Sequence, residues 1–151
     1  MSIHRPLSRA LVACLTALLA APALAGGPDA PTIAQNCLEA VATRSAQRVQ
    51  ANHHAASACV AQIEELLENG QTNAAQVAAA ACKHRIAART SRVIHRNHHQ
   101  CAHCTYILLG LDAPGLASFV QEACSEASQT VKMSRNAAIA AINAALDGGD
   151  G

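Results

Sequence analysis

His95, His99 and His103 recur at four-residue intervals, a spacing that lines side chains up along one stripe of a helix. Two imidazoles placed at i and i+4 can chelate one Cu²⁺, Zn²⁺ or Ni²⁺ ion. The stripe is therefore a candidate metal site, with His84 on roughly the same side. No acid completes a catalytic set beside it, and HxxxH arises easily in a histidine-rich helix, so solvated surface imidazoles are the plainer expectation. Arg85, Arg92 and Arg96 share this outer face. Between Gly70 and Leu111 the chain carries five cations and no acid, so the face suits an anionic protein or an anionic lipid surface. It lacks the aromatics that stack on exposed bases, and a nucleic-acid partner is not expected.

Cys101-Ala102-His103-Cys104 is a CxxC. In a thioredoxin-like fold this spacing puts one thiolate at a helix N-terminus and lowers its pKa. Here the motif lies deep in a helical stretch with no βαβ pattern around it. A thiol-redox role for Cys101 and Cys104 is thus an alternative to two structural disulfides that leave for different helices. Haem attachment of the c type needs histidine directly after the second cysteine, and Thr105 stands there. Cys37, Cys101, Cys104 and Cys124 fall near one height and could gather as four thiolates around zinc, although oxidised pairs are the simpler outcome in an exported protein. No Ser-His-Asp set, paired catalytic carboxylates, phosphate-cradling glycine loop or HExxH is present, so no enzymatic activity is expected.

A phrase occurs twice: Cys, six residues, Arg, seven residues, Asn-His-His, four residues, Cys. The first copy runs through Cys37, Arg44, Asn52-His53-His54 and Cys59, the second through Cys82, Arg89, Asn97-His98-His99 and Cys104. The 45-residue period predicts paired or stacked copies of one helical unit.

The elements that must position these residues follow from punctuation. Gly26–Pro31 is a Gly/Pro lead-in, and Thr32 to Glu68 is free of both residues, with Thr32-Ile33-Ala34-Gln35 fitting a capping box. Asn69-Gly70-Gln71 is a stop and turn. A second uninterrupted stretch runs from about Thr72 to Leu109. Asp112-Ala113-Pro114 offers an N-cap and an early proline for a third helix reaching Asp147, with residues 148–151 as a flexible tail. The expected fold is all-α: an antiparallel three-helix bundle over residues 32–147, internally duplicated and stapled by disulfides.

Short turns force neighbouring helices to run antiparallel, and this decides the cysteine pairing. Cys59 and Cys82 lie equally far from the Gly70–Gln71 junction, as do Cys37 and Cys104; Cys101 and Cys124 are equally far from the Asp112–Ala113 junction. Cys37 and Cys59 are 22 residues apart, about six turns at ~3.6 residues each, so both face one neighbour. Cys101 sits ~60° around from Cys104, where a third helix belongs, together with Ile94 and Leu108; on the first helix Leu38, Val49, Ala56, Ile63 and Leu67 hold the matching side. The pairs are Cys59–Cys82, Cys37–Cys104 and Cys101–Cys124. The same rule puts Arg44 level with Asn97 and Arg89 level with Asn52, predicting two symmetric Arg–Asn contacts in the seam. It also separates His53 from His98 by about ten residues of helix, or ~15 Å, so the duplicated histidine pairs cannot share one site.

The N-terminus places the protein. His4, Arg5 and Arg9 precede the apolar stretch Ala10 to Ala20, and Ala23-Leu24-Ala25 gives a small-x-small cleavage pattern, so residues 1–25 read as a secretory signal. The stretch is too short for a spanning helix, and no transmembrane span is expected after its removal; the expected location is periplasmic or secreted. Large core formers are scarce, with one Phe, one Tyr and no Trp among 151 residues. An alanine-rich core buries little area at roughly 25 cal/mol per Å², which makes cross-links worth roughly 3–4 kcal/mol each a natural complement.

Overall fold

The structure, a computed structural model, describes residues 29–148. The expected signal over residues 1–25 and the tail residues 149–151 lie outside the described residues. Three helices follow in order: α1 (Ala30–Glu68), α2 (Thr72–Gly110) and α3 (Pro114–Asp147). Each packs against both of the others, as the short connections require. No described helix is long and apolar enough to cross a membrane.

Both turns use one device. Gly70 takes φ +71°, and the amides of Gly70 and Gln71 donate to the carbonyls of Leu67 and Leu66. This is a Schellman closure, in which a left-handed residue lets the last carbonyls of a helix find donors. Asp112 repeats it with φ 55°: its amide donates to the Leu109 carbonyl and that of Ala113 to the Leu108 carbonyl. Asp112 therefore closes α2 and does not cap α3, whose N-cap position is Ala113. The sequence signal was that of an N-cap, but a short polar side chain also tolerates the left-handed region, and the tight turn needs that conformation first. The expected capping box at Thr32 is not formed either. α1 starts two residues earlier, after Asp29, with Pro31 in its first turn and no side-chain cap hydrogen bond; Gln35 Nε2 donates instead to Glu39 Oε1 at 2.9 Å.

The apolar core is divided in two. One cluster holds Leu38, Val41, Leu108, Leu116 and Val120 with many alanines. The other holds Ile63, Ile86 and Ile142, again among alanines. Cross-links sit in both: Cys37–Cys104 and Cys101–Cys124 in the first, Cys59–Cys82 in the second. The bonded Cα pairs are 6.5, 6.2 and 6.3 Å apart, a separation that alanine-lined helices permit and bulkier cores resist. These are the pairs that the positions of the turns require. Cys101 joins α2 to α3, while the other two bonds join α1 to α2. Leu38, Ala56, Ile63 and Leu108 are buried as expected, with Val49, Leu67 and Ile94 half-buried at the margins.

Cross-links carry a large share of the stability of such a core. Removing Cys59–Cys82 by paired alanine substitution is expected to cost about 3 kcal/mol in urea unfolding, and full reduction to lower Tm by well over ten degrees. Proteolytic mapping of the oxidised chain should recover the three pairs with no free thiol; a Cys101–Cys104 peptide would contradict the fold.

Candidate functional site

Between the two apolar clusters lies a layer of buried polar side chains: Ser45, Asn52, Thr90 and Asn97. Buried amides must find partners, and here the partners come from facing helices. Asn52 Nδ2 donates to Thr90 Oγ1 at 3.1 Å and to Ser134 Oγ of α3 at 2.9 Å, so one amide ties all three helices together. Asn97 Nδ2 donates to Ser45 Oγ at 2.9 Å, and its Oδ1 accepts from Arg44 Nη1 at 2.7 Å. Arg44 Nη2 also donates to Gln100 Oε1 at 2.7 Å.

One of the two expected Arg–Asn contacts is therefore made and the other is not. Arg89 stands level with Asn52, but the fully buried Asn52 is taken by Thr90 and Ser134. A hydroxyl reaches a buried amide without bringing a charge into the seam, which favours it over a guanidinium. Arg89 turns outward and is exposed.

It turns into a cleft between α1 and α2, of about 210 Å³, lined by Arg48, Ala55, Ala58, Cys59, Cys82, Arg85, Ile86 and Arg89. Arg48 was not singled out from sequence. The signal was there: Arg48 lies eleven residues from both Cys37 and Cys59, about three turns, and so faces α2 with them. Among the described residues its Nε is buried without a hydrogen-bond partner. Burial, and after it the charge of Arg89, hold the Arg48 guanidinium below the ordinary arginine range. Arg85 Nη2 turns toward Cys82 Sγ at 3.4 Å, and disulfide sulfur is a weak acceptor.

The remaining face of α2 matches the stripe seen in the spacing. Arg85, Arg92 and Arg96 are exposed, and so are His84, His95, His98, His99 and His103. The rings of His95 and His99 meet edge to face with centroids 4.5 Å apart. His53 and His54 are also exposed, with ring centroids 6.0 Å apart. Among the described residues no three His, Cys, Asp or Glu side chains gather as a metal-holding group. Cys101 and Cys104 are bonded to Cys124 and Cys37 respectively, so the CxxC sulfurs belong to two separate interhelical bonds. A second, shallow depression on α1 is lined by Asn36, Glu39, Ala40, Thr43, Arg44 and Gln47; its one guanidinium is already bonded to Asn97 and Gln100.

Comparison with known protein families, with curated proteins and with solved structures returns no match.

The polar layer makes a separable prediction. Asn52→Ala leaves the Thr90 and Ser134 hydroxyls without their shared partner and should destabilise the chain by about 1–3 kcal/mol. Arg44→Ala should cost less, because Arg44 is half-buried and water can reach the atoms it leaves. A double-mutant cycle on Asn52 and Thr90 by urea unfolding should show coupling between them.

Proposed function

We propose that this chain is an exported, disulfide-stapled helical protein, periplasmic or secreted, that acts by binding an anionic partner through the outer face of α2. The observation that carries this reading is the exposure of Arg85, Arg92 and Arg96 on a helix whose 39 residues include no acid. Of the two helices it packs against, α1 has no acid between Glu39 and Glu64, while α3 carries Glu122 and Glu126 nearer the far end of the stripe. A surface of one sign with no internal counter-charge attracts anions at long range and loses that attraction as salt is added. His95, His99 and His103 lie on the same face, and imidazole is the side chain that gains charge between pH 8 and 5.

The repeated phrase supports an internal duplication as the origin of this architecture. Ser45 bonds to Asn97 and Thr90 to Asn52, so the hydroxyl of each copy meets the amide of the other, and equivalent residues stand 45 apart.

A second reading, metal binding, is favoured by one contact: the 4.5 Å approach of the His95 and His99 rings. The thiol-redox alternative has less behind it, because it needs Cys101 and Cys104 as a dithiol pair and each is bonded to a different helix.

Sedimentation with vesicles of phosphatidylglycerol in phosphatidylcholine, and anisotropy with fluorescent polyglutamate, test the anionic face. The oxidised chain should bind at least one of the two probes, more tightly at pH 5.5 than at pH 7.5 and more weakly in 0.5 M salt. Arg92→Gln with Arg96→Gln should weaken binding several-fold, and indifference to pH, salt and these substitutions would remove the reading. For the metal reading, His99→Ala should weaken Cu²⁺ binding more than His53→Ala in a calorimetric titration, because His99 has imidazoles one turn before and one turn after it. Here acidification must act in the opposite direction, since protons compete for the imidazole nitrogen.

A further inference from the structure

The cleft over the Cys59–Cys82 bond differs in kind from the open face beside it. Three guanidinium groups, of Arg48, Arg85 and Arg89, come from two helices into one space, and none of the residues that line it is acidic. Its floor is apolar and fixed: Cys59, Cys82 and Ile86 are buried, and the disulfide holds the two helices at a set distance. Ala55 and Ala58 keep the α1 wall low, so the space stays open between the arginines. Arg85, Arg89 and Ala58 are exposed at the rim, and Arg48 is half-buried behind them. Like charges are thereby gathered where none of the described lining residues supplies a counter-charge, and one donor, Arg48 Nε, is buried without a partner among the described residues. The fold carries an electrostatic cost here that an anion would remove.

We propose that this cleft binds a terminal, dianionic phosphate group, presented either as free inorganic phosphate or as a phosphatidic-acid headgroup. Size supports a compact ligand: about 210 Å³ is below the roughly 300–1,000 Å³ of pockets that enclose drug-sized molecules. Chemistry supports phosphate, because guanidinium forks donate pairs of parallel hydrogen bonds to its oxygens, and three such groups offset a dianion. The low position of Arg48 relative to ordinary arginine, caused by burial and by Arg89, has the sign expected of a site that gains stability when an anion enters. This inference deepens the anionic-partner reading by naming the group recognised, but it rests on Arg48 and Arg89, which the open face does not use.

The test uses the oxidised chain in low-chloride buffer at pH 7.5, with two probes. Isothermal titration with sodium phosphate reports the free ion, and sedimentation with vesicles of phosphatidic acid in phosphatidylcholine reports the headgroup. One phosphate per chain is expected, with a rise in Tm on adding it. Arg48→Gln and Arg89→Gln should each weaken binding at least tenfold and abolish that rise, while Lys132→Gln, exposed on α3, should leave both intact. Saturation by inorganic phosphate identifies the free ion as sufficient; binding seen only with phosphatidic acid, and lost in the same two variants, assigns the headgroup. Without phosphate, Arg48→Gln should unfold no earlier than the parent chain, which separates loss of a ligand from loss of the fold. Failure of both probes to bind, or binding that ignores Arg48 and Arg89, overturns the proposal. Phosphatidylglycerol binding that depends on Arg92 and Arg96, together with no phosphate binding, removes the cleft and leaves the open face standing.

Discussion

Helix-to-helix distance in this molecule is governed by covalent bonds. A core built from alanine and a few branched residues offers little apolar area to bury, and small side chains also tolerate sliding between helices, since few knobs lock into holes. Cross-links in both apolar clusters remove that freedom: two hold one end of the bundle and one holds the other. Alanine and disulfide support each other, because the close approach that small side chains allow is the approach a disulfide needs. Everything placed between the clusters inherits its position from them.

What lies between is polar. Apolar packing that is nearly uniform along a helix specifies register poorly, whereas a buried amide facing a hydroxyl tolerates one alignment. Asn52 with Thr90 and Ser134, and Asn97 with Ser45 and Arg44, give the middle of the bundle such an alignment. The same layer explains why Arg44 and Arg89, equivalent in the repeat, end in different places. Asn97 accepts Arg44, drawing that guanidinium into the seam, while Asn52 is already satisfied and leaves Arg89 outside. Arg89 then meets Arg48 across the outer groove, and two copies of one phrase end in different electrostatic environments.

The histidines are a contrasting case. The spacing of His95, His99 and His103 promises a linear array, yet of these three only His95 and His99 come into ring contact, because imidazoles one turn apart on an exposed stripe are free to point along or away from the helix axis. Arg48 at the groove has less choice, being half-buried with its Nε enclosed.

Sequence alone determined the number of helices, their antiparallel order and the cysteine pairs, since each depends on chain length between turns and on the 3.6-residue period, both of which can be counted. Arg85, Arg92 and Arg96 as an exposed, acid-free stripe were legible for the same reason. Tertiary structure decided matters that turn on competition between partners at one height. Counting put Arg89 level with Asn52; burial chose the neutral hydroxyl of Thr90 in its place. Counting made Asp112 an N-cap; the tight turn used its backbone to end α2. Arg48 faced α2 in any helical projection, but only the packed helices show that Ala55 and Ala58 line a space before it, that no carboxylate of the described residues lines that space, and that Arg89 does. Periodicity gives the side of a helix a residue occupies; which partner it meets depends on what the neighbouring helix has already satisfied.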